Sequence, residues 1–285
     1  MNFDFSDEQR LLRESVARYV RDHHTLADQR HAQTLPGGFD RARWTSYAEF
    51  GWLGLALPEA AGGLGCSMTE VAIVMEELGR GLAIEPFLAA SVLCGQIVNG
   101  ASGWAGRDHA LGAIAGGQLI PALAHSENGD PERLSTTARR TGGGYVLDGT
   151  KLLAIGAPGA DRLIVSASLL DEAGCALFLV DPHATGVTMN AYRLLDATAA
   201  ADVRFDGVAV EAVGCMVAAD RAPALLERAT DLARLGAVAQ ALGAMETILD
   251  LTGTHLKTRE QFRQPLARFQ ALQHRMVDML MHAEQ

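Results

Sequence analysis

Between Leu235 and Leu256 the apolar positions advance by alternating steps of three and four: Leu235, Val238, Leu242, Met245, Leu249, Thr252 and Leu256. Only an α-helix returns residues so spaced to one side. The stretch therefore predicts a long amphipathic helix with Asp, Glu and Arg on its other sides. Taken from Pro223 it would run about 50 Å at ~1.5 Å per residue, a length that belongs to antiparallel bundles and oligomer interfaces. Beyond a loop holding Pro265, a second helix begins near Arg268 and carries Leu272, Met276, Met279 and Leu280. It is still running at Gln285. Residues 218–285 thus read as the first two long helices of an incomplete bundle.

The chain ahead of this bundle changes character near Leu119. Residues 1–118 read as a helical domain. Ser6 with Gln9 makes a capping box before Leu12, Val16, Tyr19 and Val20, and Ser67 with Glu70 repeats it before Val71, Val74, Met75 and Leu78. A helix over Arg41–Phe50 turns Trp44, Tyr47 and Phe50 inward. Pro86 opens a helix over Phe87–Val98, and Pro58–Gly65 is a glycine-rich loop. Residues 119–217 carry short β-branched or apolar runs between turn residues: Tyr145–Leu147, Arg162–Ala167, Ala176–Val180 and Ala201–Phe205. Asp148-Gly149 reads as a tight turn. No helix-length periodicity interrupts these runs, so an antiparallel sheet or small barrel is expected. The fold class is α+β multidomain: N-terminal helical domain, central antiparallel β domain, C-terminal helical bundle.

Lys+Arg 24 against Asp+Glu 34 gives a formal charge of -10 without blocks of like charge. Nucleic acid and anionic membranes select clustered Lys and Arg, so neither is expected as a partner. The longest apolar stretches, such as Leu111–Ala124, are too short and too Gly/Pro-broken to span a bilayer. The opening MNFDFSDEQR lacks the basic and apolar regions of a signal peptide. Cys66, Cys94, Cys175 and Cys215 are too scattered for a disulfide framework or zinc cluster, and a cytoplasmic location follows. No G-x-G-x-x-G or G-x-S-x-G occurs. The histidines show no metal-site grouping, and His23 and His24 fit a helix C-terminus.

Four segments, in order, resemble the acyl-CoA dehydrogenases. Ser6-Asp7-Glu8-Gln9 is similar to the family's opening helix. Gly51-Trp52-Leu53-Gly54 with Pro58-Glu59 and Gly62-Gly63-Leu64-Gly65 resembles its "GW-LG…PE-GG-G" stretch. Tyr145-Val146-Leu147-Asp148-Gly149-Thr150-Lys151 resembles "YVLNGTK". Thr258-Arg259-Glu260-Gln261-Phe262, Pro265-Leu266 and Phe269-Gln270-Ala271-Leu272-Gln273-His274 resemble "TR-QFG-PI--FQALQH". The resemblance implies FAD between the β domain and the bundle. It implies removal of the α-proton and β-hydride of an acyl-CoA to give a trans-2-enoyl-CoA, with an electron-transfer flavoprotein as acceptor.

It also implies site residues. Arg259 would meet the pyrophosphate of a partner subunit's FAD, Phe262 and Phe269 its adenosine portion, and Gln261 and Gln270 would offer hydrogen bonds. Ser126 and Glu127 would belong to the flavin loop, where residues 124–130 replace "TEP--GSD". Departures are as telling. Leu153 stands for a stacking Trp, Ile155 for a threonine that bonds the flavin, and Arg263 for a glycine. Asp231-Leu232-Ala233-Arg234 has alanine where some members carry the catalytic glutamate; the more usual glutamate lies C-terminal to this chain. No catalytic residue is assigned. The pattern resembles the small or degenerate subunits of heteromeric acyl-CoA dehydrogenases, in a homo- or heterotetramer with a homologous subunit. The alternatives are a non-catalytic subunit that completes a partner's flavin site, and a flavin oxidase or monooxygenase on the same fold.

Overall fold

The computed structural model describes residues 4–128, 134–170 and 174–285. It divides into two compact units, one of Met1–Thr25, Ala72–Ala83 and Ala237–Gln285, the other of Leu26–Val71 and Ile84–Gly236.

In the first unit, α1 (Asp7–His23) starts with the expected capping box: Gln9 N donates to Ser6 Oγ at 3.2 Å and Ser6 N to Gln9 Oε1 at 3.0 Å. Val16 and Val20 are its buried positions. Helix α4 (Met68–Arg80) contributes its last turns, and its start repeats the device through Ser67 N to Glu70 Oε2 at 2.9 Å. The long helix is α7 (Ala222–Thr258), and α8 spans Gln270–Glu284.

The seam of α7 is not the one its large residues mark. Leu235, Val238 and Met245 are exposed, while Gly236, Ala239 and Gly243 are buried. The cause is a close helix crossing. A Cβ on Gly243 would lie 1.8 Å from the Glu76 carbonyl oxygen, and one on Gly79 2.0 Å from that of Gln240. Two backbones this close leave no room for a side chain, so small residues take the contact face of this part of α7. Leu256, at the far end of the predicted seam, is buried as expected. Charges clasp the crossing: Arg80 bonds Glu76 at 2.8 Å and Glu77 at 3.2 Å and pairs with Glu246, while Arg13 bonds Glu76 at 2.6 Å and Glu77 at 3.0 Å. With apolar residues on both its small and its large face, α7 is long and apolar enough to cross a membrane by length and composition, with a mean hydropathy of 1.2 over 18 residues. That apolar stretch is longer than Leu111–Ala124.

The second unit holds α2 (Leu26–Ala32), α3 (Arg41–Glu49), a π-helical turn Phe87–Cys94 that runs into α5 (Gly95–Gly100), and α6 (Arg107–Ala115). Trp44 and Tyr47 are buried as expected, whereas Phe50 is half exposed and stacks on the rim of Trp52 at 5.1 Å. The sheet comprises β1 (Pro121–Ala124), β2 (Thr137–Thr141), β3 (Gly144–Ile155), β4 (Arg162–Leu169), β5 (Cys175–Val180), β6 (Val187–Arg193), β7 (Ala199–Glu211) and β8 (Cys215–Val217). Strands run in the order β6-β7-β3-β2-β4-β5-β8, with β1 beside β4. Pairing is mostly antiparallel, but β1 and β2 both meet β4 in parallel, so the sheet is mixed. Strand β4 is apolar on both faces because both are covered. Leu163 and Val165 face one core with Phe178 and Val203, and Ile164 faces the other with Ile97, Leu111 and Leu226.

Asp148-Gly149 is not a turn. The β2–β3 hairpin turns at Gly142-Gly143, with Thr141 opposite Gly144. Asp148-Gly149 instead lies within β3 opposite a bulge in β7: Asp206 and Gly207 stand between Phe205 and Val208, the partners of Gly149 and Leu147, where β3 has only Asp148. Gly149 sits at φ 149° with Thr136 so close that a Cβ would meet its Oγ1 at 2.5 Å. Asp148 Oδ1 accepts from Gly207 N at 2.7 Å. Gly207, at φ 62°, takes the left-handed position of that bulge.

Candidate functional site

Two groups of residues emerge, one in each unit. The first lies around β3. Its register against β7 shifts twice: at Leu147/Gly149 the extra residue lies in β7, and at Lys151/Ala154 it lies in β3, where Leu152 and Leu153 face Asp202. Lys151 keeps the inward register of Tyr145 and Leu147 and is fully buried. The bulge in β3 comes after it, and Ala154 is the next inward residue.

The three ammonium hydrogens of Lys151 find three acceptors: Glu127 Oε1 at 2.5 Å, Ser166 Oγ at 3.0 Å and the His125 carbonyl at 3.2 Å. Ser166 Oγ also lies 2.8 Å from His125 Nδ1. Glu127 further accepts from Ser135 N and Oγ, both at 2.5 Å, and from Thr136 N at 3.1 Å. Burial opposes the charge on Glu127, but the hydrogen bonds from Lys151, Ser135 and Thr136 outweigh it and bring the carboxyl down to about 2. Burial lowers Lys151, with Glu127 opposing, and burial followed by the Lys151 charge lowers His125.

Above this buried pair the surface is mixed. Ser126 and Asn128 are exposed, and the Ser126 carbonyl accepts from Leu152 N at 2.8 Å. Leu153 is exposed in the left-handed region at φ 55°, and its N–H donates to Asp202 Oδ1 at 3.2 Å. Ile155 is also exposed. Gly129 and Asp130, the end of the expected flavin loop, lie outside the described residues.

The second group is the segment between α7 and α8. Glu260–Gln261 and Gln264–Pro265 form a two-stranded antiparallel hairpin. Its central residues Phe262 and Arg263 have φ of 54° and 64°, as the mirror-image turns of two-residue hairpins require. Leu266 N donates to the Arg259 carbonyl at 2.9 Å and closes the base. Phe262, 85% exposed, meets the Phe269 ring edge-on at 6.1 Å. Arg259, Gln261 and Gln270 are exposed, and among the described residues no carboxylate pairs with the Arg259 guanidinium. The structure thus brings Arg259, Gln261, Phe262, Phe269 and Gln270 together. Ser126 and Glu127 stand in the other unit.

Residues 6–118 match the model of the acyl-CoA dehydrogenase N-terminal domain and residues 224–285 that of the C-terminal domain. The chain is 31% identical to benzylmalonyl-CoA dehydrogenase of Aromatoleum aromaticum over 98% of its own length and 76% of that protein's. This chain belongs to the acyl-CoA dehydrogenase family. Among solved structures it is similar to a variant of the Tcur3481–Tcur3483 steroid ACAD, with TM-score 0.85 and 32% identity over 98% of this chain and 74% of that one. It is also similar to the ChsE4–ChsE5 complex of Mycobacterium tuberculosis, with TM-score 0.88 and 28% identity over 100% of this chain and 76% of that one. Acyl-CoA dehydrogenases are FAD-dependent oxidoreductases, and the family architecture of helical domain, central sheet and C-terminal helices is the one described above.

Within that family two tests of cofactor fit differ in outcome. At Leu153 and Ile155 the side chains carry no ring to stack and no hydroxyl to donate, and the Leu153 N–H is held by Asp202. These positions do not fit a flavin ring. The Arg259 group does fit a dinucleotide, with an exposed cation that no carboxylate pairs among the described residues, two amides, and a projecting aromatic pair for a base. Sequence reading overlooked the role of Lys151, although one signal was present: a lone cation in the otherwise apolar inward register of a strand.

Proposed function

We propose that this chain is one subunit of a heteromeric acyl-CoA dehydrogenase, and that its Arg259–Gln270 segment completes an FAD site on the partner subunit. The observation that carries the reading is the exposed Arg259, unpaired by any carboxylate among the described residues, grouped with a Phe262 ring that is 85% exposed. An isolated protein gains nothing from such a display, whereas a site formed in trans uses it. The two-component names of the similar solved structures support a second subunit. The reaction would be α,β-dehydrogenation of an acyl-CoA to a trans-2-enoyl-CoA, in the cytoplasm, with an electron-transfer flavoprotein as the next acceptor. We infer a three-part organisation, 1–118, 119–217 and 218–285, with flavin between the second part of one subunit and the third of another.

Bound FAD would supply the hydride acceptor. The work of this chain is binding and orientation. Arg259 would donate charge-assisted hydrogen bonds to the pyrophosphate, Gln261 and Gln270 would bond the adenosine portion, and Phe262 with Phe269 would pack against it. On this chain's own β face Ser126 would offer its hydroxyl, and Glu127 would hold the loop from beneath. Ala233 stands at one of the family's base positions, and no residue of 1–285 is assigned the removal of the α-proton. The aliphatic Leu153 and Ile155 favour a second reading in which the chain is a non-catalytic subunit that completes its partner's site.

The visible absorption spectrum of the chain alone, and of the chain co-expressed with a homologous subunit, tests the proposal. A colourless lone chain with a yellow complex whose colour fades in Arg259→Ala is expected. A complex that keeps its full flavin in Arg259→Ala would overturn it.

A further inference from the structure

The hairpin between α7 and α8 carries a second cation with no role in the fold. In a chain of formal charge -10, residues 257–275 hold Lys257, Arg259, Arg263, Arg268 and Arg275 against the single carboxylate of Glu260. All five cations are exposed, and among the described residues none has a carboxylate partner. Only Arg263 among them has a strained backbone. It sits in the turn at φ 64°, where glycine is at ease and other residues are not, and where the family's "QFG" has glycine. Among the described residues no hydrogen bond or ion pair engages its guanidinium, so folding of this chain does not recover the strain. Charge accounts for the residue instead. The diphosphate of a dinucleotide carries two negative charges, and Arg259 balances one of them. The hairpin mounts both arginines on one short support: Leu266 N closes its base at the Arg259 carbonyl, Gln261 pairs with Gln264, and Arg263 lies in the turn. From Arg259 to that turn the chain advances about 10 Å at ~3.3 Å per residue, within the combined reach of two extended arginine side chains.

We propose that Arg263 is a second phosphate ligand: from the turn of the hairpin it clamps, together with Arg259, the diphosphate of the partner subunit's FAD. The inference rests on the FAD site in trans proposed above and deepens it, giving the diphosphate two cations from this chain where the family motif supplies one. The turn keeps a strained residue because that residue binds in the complex.

The test titrates the co-expressed complex, stripped of flavin, with FAD and follows flavin fluorescence. It compares the parent with Arg263→Gly, Arg259→Ala and Arg268→Ala. Arg263→Gly should bind FAD about tenfold more weakly, as loss of a charge-assisted hydrogen bond predicts. Its thermal midpoint should be no lower than the parent's, because glycine relieves the turn, so unfolding does not explain the loss. Added salt should weaken FAD binding more steeply in the parent than in Arg263→Gly. Arg268→Ala removes the same charge from outside the hairpin and should bind FAD as the parent does. Parent affinity in Arg263→Gly overturns the proposal. An equal loss in Arg268→Ala also overturns it, since the effect would then belong to the general field of the surface. So does an Arg263→Gly complex that dissociates without FAD yet binds FAD normally when assembled, which would pair Arg263 with a carboxylate of the partner. Arg259→Ala separates the two readings. Affinity lost there but kept in Arg263→Gly sinks the second ligand alone, and parent affinity in Arg259→Ala sinks the site in trans.

Discussion

Arg263 occupies a backbone conformation that glycine adopts without strain. At φ 64° it follows Phe262 at 54°, and a non-glycine residue there costs about 1–2 kcal/mol, partly offset by the entropy glycine would lose on folding. Arg263→Gly is therefore expected to stabilise the chain by about 0.5–1 kcal/mol, read as a rise in denaturation midpoint. Glu127 gives a second prediction. Its carboxyl is held at about 2 in the folded protein, against about 4.3 in an unfolded chain. The pair's contribution is present in full above that unfolded value and is lost as pH falls toward 2. Acid titration of the parent should show this loss, and Glu127→Gln should flatten that limb of the stability curve; an unchanged acid limb contradicts it. At this scale the sequence was informative where the partner lay within a few residues. Ser6 with Gln9 and Ser67 with Glu70 could be read directly. Glu127 and Lys151 are 24 residues apart, and no local pattern joins them.

Elements were easier to place than their faces. Helix α7 was legible from its periodicity, yet its buried contact with α4 runs through Gly79 and Gly243, which a search for large apolar residues passes over. Hydrophobicity marks what avoids water, whereas a close crossing selects for absence of volume, and the two signals fell on different sides of one helix. Gly243→Ala should force the backbones apart, since its Cβ would lie 1.8 Å from the Glu76 carbonyl oxygen. A loss of about 1–3 kcal/mol or more is expected by analogy with overpacked cores, measured by thermal unfolding followed by circular dichroism. A variant as stable as the parent would mean that the crossing is looser than described. Asp148-Gly149 shows the same limit in strands. A turn and a strand segment that faces a bulge draw on the same residues, and only the pairing of β3 with β7 decides between them.

At the scale of the whole molecule, apolar surface and charge compete. The formal charge of -10 favours dispersion in water. Against it stands a groove of about 1030 Å³ between α7 and α8, lined by Leu242, Leu249, Leu256, Met276, Val277 and Leu280 among others. Leu235, Val238, Ile248 and Leu251 add exposed apolar surface along α7. Exposed patches of this kind mark association surfaces. Purified alone, the chain should elute from size exclusion as an associated species; a well-behaved monomer would contradict this. The β2–β3 hairpin stands apart from these surfaces in one useful respect. A Cβ at Gly142 or Gly143 would meet nothing within 4 Å, and neither residue has a positive φ. Their turn is therefore a permissive point of attachment: a cysteine carrying a dye, or a short epitope, can be introduced there and used to follow the subunit's assembly without disturbing the strands on either side.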